Sequence, residues 1–509
     1  MHLDLSRQKW HQEEGVYVCG FCYDNNNQVV SGQNLARHFS SASDEATLLS
    51  LLKETNGQFA VIVNRESLKA VAVDQIRSIP IYYNDSAIAD QPYSLSHDGS
   101  IDRMALSEYR ASGNTFAGKT LLKDIRQVPA AAMVCWHGTV EKTIQYWSLE
   151  CHRGEERLVT VEELRGCLEE TFTRTINAIG NRSVAIPLSG GYDSRLIAAM
   201  LKKNGIDDAV CYHIGHKGSD EERYASITAE KLGFRYLLLD GYDLADENTG
   251  YLDETDFADY YRYVGDYTNF VWLYEYFGIK RMIEHGDIKP DTVFIPGHSG
   301  DFLAGSHIRK GGITPSSSVR ELALSIVLRS FEYRSNSKII KEISGQFKKA
   351  MGSGISPISA YQWFIMQNRQ AQQIVNSTKV YGFFGHDVLL PLWDNELVNL
   401  FRTAPYEQLC DCKLYNDCVK QIFAELGLST EKPGGSAKPA SLSKTLIKRL
   451  LPKAIVNRMV HIGDETGEEV MCQPMLQQLV KKGHYPSARH FTSSNEIIKD
   501  WYEVTVLSN

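Results

Sequence analysis

One segment near the middle of the chain has the residue types of a phosphate-binding loop. It contains Ser189, Gly190, Gly191, Asp193 and Ser194. An apolar, β-prone run precedes it and a helix-favouring segment follows, which predicts a strand, a glycine turn and a helix N-terminus. Glycine lets the backbone approach a polyanion closely, and the first N–H groups of a helix bind anions. The two hydroxyls add donors and Asp193 suits Mg²⁺, so we expect the loop to bind a polyphosphate with its metal ion.

The same segment excludes one common nucleotide chemistry. It lacks the Lys-Ser/Thr ending of a Walker loop, so transfer of a γ-phosphoryl group is not indicated. It resembles instead the pyrophosphate loop of ATP pyrophosphatases, which cleave ATP between the α- and β-phosphates to make an adenylate. The resemblance implies ATP and Mg²⁺ as the ligands of this loop.

The elements around this loop predict two unlike halves. From about residue 15 to 150, short β-prone runs such as 16–23, 59–63 and 68–73 alternate with turn signals, which is typical of an α+β arrangement. From about residue 155, strands alternate with helices, which predicts a doubly wound parallel sheet with ligands at the carboxyl ends of its strands. After about residue 315 the pattern is mainly helical.

Composition and charge limit the possible partners. The 509 residues are 43% hydrophobic and 23% charged, as in an ordinary globular chain of several domains. The net charge of −8 and the lack of a dominant basic stripe argue against nucleic acid as the main ligand. No apolar run approaches the ~20 residues that cross a bilayer, and the N-terminus has no signal-peptide core, so we expect a cytoplasmic protein. The basic amphipathic run 438–453 is expected to pack on its own protein.

Ten cysteines are scattered along the chain. Cys19 and Cys22 are spaced like a redox pair, but residues three apart on a strand face opposite sides. Cys410, Cys412 and Cys418 cluster without the partners that complete a zinc site. We expect reduced, structural cysteines in both groups.

With these landmarks the chain resembles the asparagine synthetase-type proteins. That group includes glutamine-dependent asparagine synthetases, β-lactam synthetases and lasso-peptide cyclases, and the chain is most similar to the asparagine synthase-like proteins of bacterial surface-polysaccharide gene clusters. The resemblance, over about residues 15–430, implies a degenerate N-terminal-nucleophile (Ntn) hydrolase-like α+β sandwich in residues 1–150. It further implies an ATP-pyrophosphatase (adenine nucleotide α hydrolase-like) parallel sheet in residues 155–430. Residues 431–509 are expected to form a helical extension.

In the second half the resemblance assigns further ATP-site residues. The strand that lies beside the adenine in the family corresponds to a segment with His213 and Gly215. A second glycine-rich segment contains Gly297, Ser299, Gly300 and Asp301. In the family an acidic residue of this segment supplies the other Mg²⁺ contact, which implies Asp193 and Asp301 as the metal ligands. The family's Asp is usually followed by Glu, whereas Phe302 stands there in this chain.

Two more catalytic assignments come from the resemblance. The segment around Asp387 resembles the family's acceptor-site motif, whose acid, normally Glu, positions or deprotonates the attacking amine. Asp is one methylene shorter, and a helix-capping carboxylate is the alternative for this residue. The family also uses a lysine in a mobile C-terminal loop to neutralise charge on the adenylate. Lys432 and Lys438 both fall in such a loop, and the sequence does not choose between them.

The N-terminal half resembles a glutaminase that lacks its catalytic groups. Residues 56–60 and 74–83 resemble two glutaminase segments, but the enzyme needs a cysteine directly after the initiator Met, whose own α-amino group acts as base. Residue 2 is His2, and the glutamine-pocket motif is missing. Cys19 begins a Cys-Gly-Phe segment similar to the start of active enzymes, but its use would require removal of the first eighteen residues. We expect a scaffold domain without glutaminase activity.

The resemblance therefore implies a ligase of the asparagine synthase (glutamine-hydrolysing) type. A carboxylate of a small molecule, saccharide or peptide is adenylated with release of pyrophosphate, and ammonia or an amine then displaces AMP. Without the glutaminase nucleophile, we expect free ammonia, an amine, or ammonia from a separate glutaminase. Two alternatives stay open. One is an intramolecular cyclase of the β-lactam or lasso type, for which the aromatic stretch 251–277 is a hint. The other is a nucleotide-binding pseudoenzyme that scaffolds a partner.

Overall fold

The computed structural model describes residues 1–331, 337–432, 467–485 and 493–507. Within these ranges the strands form three sheets. In chain order the strands are β1 His2–Asp4, β2 His11–Glu13, β3 Val16–Tyr23, β4 Val29–Ser31, β5 Asn56–Asn64, β6 Lys69–Val73, β7 Tyr82–Tyr83, β8 Ala87–Ala89, β9 Arg126–Gln127, β10 Ala132–His137, β11 Val140–Gln145, β12 Val184–Pro187, β13 Ala209–Gly215, β14 Arg235–Asp240 and β15 Val293–Phe294.

The helices are concentrated in the second half of the chain. Those up to residue 284 are α1 Gly32–Phe39, α2 Glu45–Glu54, α3 Arg103–Ser112, α4 Val161–Ile179, α5 Tyr192–Lys203, α6 Asp220–Leu232, α7 Gly241–Glu247, α8 Thr255–Gly265 and α9 Leu273–Glu284. The later ones are α10 Gly300–Ala304, α11 Val319–Ser325, α12 Ser337–Gly352, α13 Pro357–Ile365, α14 Val375–Ser377, α15 Lys379–Phe383, α16 Asn395–Thr403, α17 Tyr406–Leu409, α18 Lys413–Glu425, α19 Gly467–Met471, α20 Gln473–Lys481 and α21 Ser494–Val506. Two π-helical stretches, Ile326–Ser330 and Met366–Ile374, continue α11 and α13.

The N-terminal half is a sandwich of two sheets with helices on one side. The smaller sheet has the order β1-β8-β7-β9 and the larger one β11-β10-β6-β5-β3-β2, with β4 also paired to β3. Because side chains alternate along β5, Ala60 and Ile62 pack between the sheets, whereas Val61 and Val63 pack with the residues of α1 and α2. This layering confirms the α+β arrangement predicted from the short β-prone runs and the sandwich that the resemblance implies.

The second half is built on a parallel sheet of order β14-β13-β12-β15. α5 connects β12 to β13 and α6 connects β13 to β14. α9 packs on the sheet at Gly278, where any side chain would meet Ile214 at 2.7 Å. The carboxyl ends of the strands therefore form one edge, at which the residues after β12 and β15 lie next to each other. The doubly wound parallel sheet predicted from the alternating pattern is confirmed.

The aromatic stretch 251–277 forms a core with the C-terminal helix. Tyr251, Phe257, Tyr260, Tyr276 and Phe277 are at most 1% exposed. Trp501 of α21 lies 5.9 Å from Phe257 between ring centroids. These rings fill the space between helices, so they give no support to a pocket for a bulky substrate.

Most predicted boundaries lie near the observed ones. The strand 16–23 has the predicted bounds. The sequence also predicts helices over 45–54, 158–179 and 220–232, and the first and last of these have the predicted bounds. The middle one begins instead at Val161, because Thr160 and Glu163 form a capping box there. The whole basic run 438–453 lies outside the described residues, so its packing stays a prediction. Among the described helices, none is long and apolar enough to cross a membrane.

Candidate functional site

The predicted phosphate loop connects β12 to α5 at the carboxyl edge of the parallel sheet. The Leu188 N–H still pairs with the Tyr212 carbonyl at 2.7 Å, so the turn begins only at Ser189. The Ser189 N–H donates to the Ser194 Oγ at 3.0 Å, and that hydroxyl lies 3.1 Å from the Ser189 hydroxyl. The two predicted hydroxyl donors therefore bond to each other and shape the loop. The N–H groups of the first turn of α5, which starts at Tyr192, have no intrahelical partner and suit an anion.

The second glycine-rich segment packs directly against this loop. A Cβ at Gly297 would lie 2.5 Å from the Ser194 nitrogen, and one at Gly300 would lie 2.8 Å from the Asp193 Cγ. Both distances are impossible for a real side chain, so the two glycines allow the contact. Between them, Ser299 is in the left-handed region, with a φ of 70°, and its hydroxyl donates to the Gln370 Oε1 at 2.6 Å. The Ser299 hydroxyl is thus committed to the protein interior.

Asp193 and Asp301 line one cavity at the junction of the two segments. Asp193 accepts hydrogen bonds from the Asp301 N–H at 2.6 Å and from the Tyr415 hydroxyl at 2.8 Å. Burial and the neighbouring Asp301 carboxylate raise the pKa of Asp193 to about 7. A carboxylate that is destabilised by a second one is a natural place for a divalent cation, so the donor set fits Mg²⁺. Tyr415, to which no sequence motif points, completes the arrangement.

Two adjoining cavities extend from the loop. The first, of about 380 Å³, is lined by the two acids and the glycine segments. The second, of about 260 Å³, is lined by residues of β12 and β13 together with Glu275 and Tyr381. Both include Pro187, Ser189 and His298 in their walls, so together they form an elongated site. Their combined size and mixed polarity fit a nucleotide.

Of the two residues predicted beside the adenine, His213 lines the second cavity and Gly215 packs against the His213 ring. His213 lies in the wall of the second cavity, and its Nδ1 is 3.0 Å from the Leu188 carbonyl. Gly215 follows on the same strand, and a Cβ there would lie 2.7 Å from the His213 Nε2. Gly215 therefore leaves room for the imidazole. A contact of either residue with adenine stays a prediction.

His298 is a site residue that our sequence reasoning did not select. It lies in the wall common to both cavities, and its Nδ1 is buried without a hydrogen-bond partner among the described residues. Burial lowers the pKa of His298 to about 4, so the ring is neutral at neutral pH. Its place in the second glycine-rich segment, between Gly297 and Gly300, is the signal that could have pointed to it.

The segment 429–432 crosses over the phosphate loop and brings Lys432 to the first cavity. Arg195 holds this segment, because its guanidinium donates to the carbonyls of Ser429 at 2.9 Å and Glu431 at 2.6 Å. The Lys432 Nζ lies 4.0 Å from the ring centroid of Tyr192. Of the two lysines that the sequence left open, Lys432 is therefore at the site. Lys438 lies outside the described residues.

Asp387 is not brought to this site. Its carboxylate pairs with Arg182, two residues before β12, and is 73% exposed. Its carbonyl accepts from the Phe294 N–H at 2.9 Å, which places it beside the amino-terminal side of the sheet. The phosphate loop leaves β12 at the opposite edge. Because a parallel strand separates its two ends by its own length, this position gives no support to the role of Asp387 on the attacking amine, which stays a prediction.

In the N-terminal half, Cys19 is buried rather than placed at an open cavity. Cys19 lies inside β3, opposite Ala60 of β5, and is 7% exposed. Burial raises the pKa of its thiol to about 12, so it is protonated and unreactive. The eighteen residues before it are part of the fold: β1 pairs with β8, and Arg7 forms a buried ion pair with Asp266 at 2.6 Å.

Comparison with known proteins identifies the class to which this fold and site belong. The model of the asparagine synthase family matches residues 163–463, which is more than half of the chain, and the chain belongs to this family. The match continues beyond residue 430, where we predicted the end of the synthetase part. Over 93 residues the chain is 29% identical to the GMP synthase (glutamine-hydrolysing) of Hydrogenovibrio crunogenus. That similarity covers 18% of this chain and only 17% of the relative.

The asparagine synthase family is one of ATP-dependent ligases that form amide bonds, and membership supports that general activity for this chain. The relationship to proteins of polysaccharide gene clusters, and the domain limits 1–150, 155–430 and 431–509, stay predictions.

Proposed function

We propose that this chain forms an amide bond by way of an acyl-adenylate made from ATP. The observation that carries the proposal is the junction of two strand ends, where Asp193 and Asp301 line one cavity beside the N-terminus of α5. Helix N–H groups suit the phosphates and the two carboxylates suit a magnesium ion. The adjoining cavity beside Tyr212 and Tyr381 suits the nucleoside.

The reaction has two steps. A carboxylate oxygen of the acceptor attacks the α-phosphorus of ATP, and pyrophosphate leaves. A nitrogen nucleophile then attacks the acyl carbon, and AMP leaves. Asp193 and Asp301 would hold Mg²⁺, which offsets negative charge on the phosphates. Lys432, held at the cavity by the segment that Arg195 binds, would stabilise charge that develops near the adenylate.

The nitrogen comes from outside this chain. The glutaminase reaction needs a cysteine with a free α-amino group, but residue 2 is His2 and Cys19 is buried within β3. Processing to expose Cys19 would remove β1, β2 and the Arg7–Asp266 ion pair. We therefore propose ammonia, an amine, or ammonia from a separate glutaminase as the donor, and an inactive glutaminase-like half.

The acceptor is a carboxylate of a small molecule, a saccharide or a peptide. Aspartate, the acceptor implied by the asparagine synthase type, belongs in the same test. The cyclase alternative lost its supporting hint when the aromatic stretch proved to be core. The intact pair Asp193 and Asp301 beside an open cavity speaks against a pseudoenzyme.

The proposal is tested by incubating the protein with labelled ATP, Mg²⁺ and a panel of carboxylates, with ammonium or glutamine as nitrogen source. We expect AMP and pyrophosphate with ammonium and none with glutamine alone. ADP and phosphate as products would contradict the adenylation step. Tight ATP binding without turnover on any acceptor would favour the pseudoenzyme.

A further inference from the structure

A second group of ligand-type side chains lies in the N-terminal half, at the end of β10. Cys135 and His137 are two residues apart on this strand, so their side chains point to the same face. Glu45, the first residue of α2, reaches them from the neighbouring layer. Glu45 is far from the other two residues in the sequence, and none of the three takes part in the nucleotide site.

The three ligand atoms converge on one point. The Cys135 Sγ lies 3.5 Å from the Glu45 Oε2 and 3.8 Å from the His137 Nε2, and the last two atoms are 3.1 Å apart. A tetrahedral Zn²⁺ with a sulfur ligand at about 2.3 Å and nitrogen or oxygen ligands at about 2.0–2.1 Å has ligand–ligand distances of about 3.3–3.6 Å. The observed triangle has nearly these edges.

The arrangement does not fit a nucleophilic triad. In such a triad the histidine uses one ring nitrogen for the nucleophile and the other for the acid. Here the same nitrogen, Nε2, faces both the thiol and the carboxylate. Burial and Glu45 also raise the pKa of Cys135 to about 11, which makes the thiol a poor nucleophile without a cation.

The surroundings favour a metal that accepts a thiolate. We propose that Cys135, His137 and Glu45 bind Zn²⁺, with water as the fourth ligand. Sulfur and imidazole ligands favour zinc over magnesium, and the thiol loses its proton to solvent when the metal binds. Lys142, opposite Cys135 on β11, donates to the other oxygen of Glu45 at 2.6 Å and so orients the carboxylate. The bound metal ties the start of α2 to the β10–β11 hairpin.

The full chain, freed of metal with a chelator, is titrated with Co²⁺, which replaces Zn²⁺ in such sites. We expect the near-ultraviolet charge-transfer absorption of a thiolate–cobalt bond at one equivalent, and its loss on addition of Zn²⁺. Cys135→Ser and His137→Gln should each weaken Zn²⁺ binding more than about tenfold, the loss that even an outer partner of a ligand produces. Zn²⁺ should also raise the melting temperature of the parent protein but not that of Cys135→Ser.

Two results distinguish this site from its rivals. Serine and glutamine at these positions keep a hydrogen-bonded cluster, so Zn²⁺ affinity equal to that of the parent in both variants would overturn the proposal. Cys412→Ser is the matched control, because Cys412 also lies beside carboxylates, near Asp301 at the nucleotide site. The cobalt absorption should persist in Cys412→Ser. Its loss there, or its absence from the parent protein, would equally overturn the assignment.

Discussion

Glycine brings two backbone segments together in both halves of the chain, but the space beside the contact differs. In the N-terminal half a Cβ at Gly57 would lie 2.3 Å from the Phe21 carbonyl oxygen, and the cavity beside it has about 20 Å³. At Gly297 and Gly300 a Cβ would also lie closer than 3 Å to a neighbouring atom, but the cavity beside these two glycines has about 380 Å³. Leu390 and Trp393, from the second half of the chain, help to line the small cavity beside Gly57. A close glycine contact marks a site only where the side chains around it leave room.

A carboxylate lies at each of these contacts, and the two differ in their partners. Asp74 accepts hydrogen bonds from the N–H groups of Phe59, Ile76 and Ser78 and from the Ser78 hydroxyl, so the protein satisfies it completely. Asp193 has fewer donors and a second carboxylate beside it. The first arrangement stabilises a turn, whereas the second leaves charge that a cation can neutralise.

The largest expected effect tests that difference. Asp193→Asn keeps the size of the side chain and removes its charge, so adenylate formation should fall about 1,000-fold, which corresponds to about 4 kcal/mol of transition-state stabilisation. The measurement is AMP release from labelled ATP. Asp387→Asn is the matched control, because it removes a carboxylate at the other edge of the same sheet, and it should keep near-normal turnover. A reversed order of the two variants would overturn our placement of the site.

The second prediction separates the two lysines. Lys432→Met should lower turnover about 100-fold, because a preorganised cation near developing charge contributes on this scale. Lys438→Met, measured in the same assay, should have the smaller effect. A greater loss of turnover in Lys438→Met than in Lys432→Met would contradict the assignment of Lys432 as the catalytic lysine.

The third prediction concerns buried polar atoms in the second half. Both ring nitrogens of His307 are buried and have no hydrogen-bond partner among the described residues, and the ring stacks on Phe302 with centroids 5.0 Å apart. His307→Phe should therefore raise the free energy of unfolding by about 1 kcal/mol at pH 8.

The same variant has a pH dependence. Burial lowers the pKa of His307 to about 3, while the unfolded residue titrates near about 6.5. Between these values the unfolded state binds the extra proton, so the parent loses stability as the pH falls. The advantage of His307→Phe should grow by about 2 kcal/mol from pH 8 to pH 5 in urea unfolding. His285→Gln, an exposed control, should give no such growth.

The smallest expected effect lies in the N-terminal half. Cys19→Ala should leave ammonium-dependent turnover unchanged, because the thiol is buried and protonated. If the parent protein used glutamine as its sole nitrogen source and Cys19→Ala did not, the first half would have a catalytic site of its own. The contrast between a closed first half and an open site in the second half would then be wrong.

Local patterns predicted much of this molecule because they reflect local physics. The β-prone runs 16–23, 59–63 and 68–73 and the glycine turn before α5 are decided within a few residues, and they appear where expected.

Contacts between distant segments needed the tertiary structure. Tyr415 and the segment 429–432, which Arg195 binds, are far from the loop in the sequence, and Asp387 follows a family motif yet lies at the opposite edge of the sheet. Glu45 meets Cys135 only because a helix packs on a hairpin. The sequence by itself determined the strand, turn and helix that can bind phosphate. Only the packing of separate elements decided which acids and bases share a cavity, because distances between them depend on the whole fold.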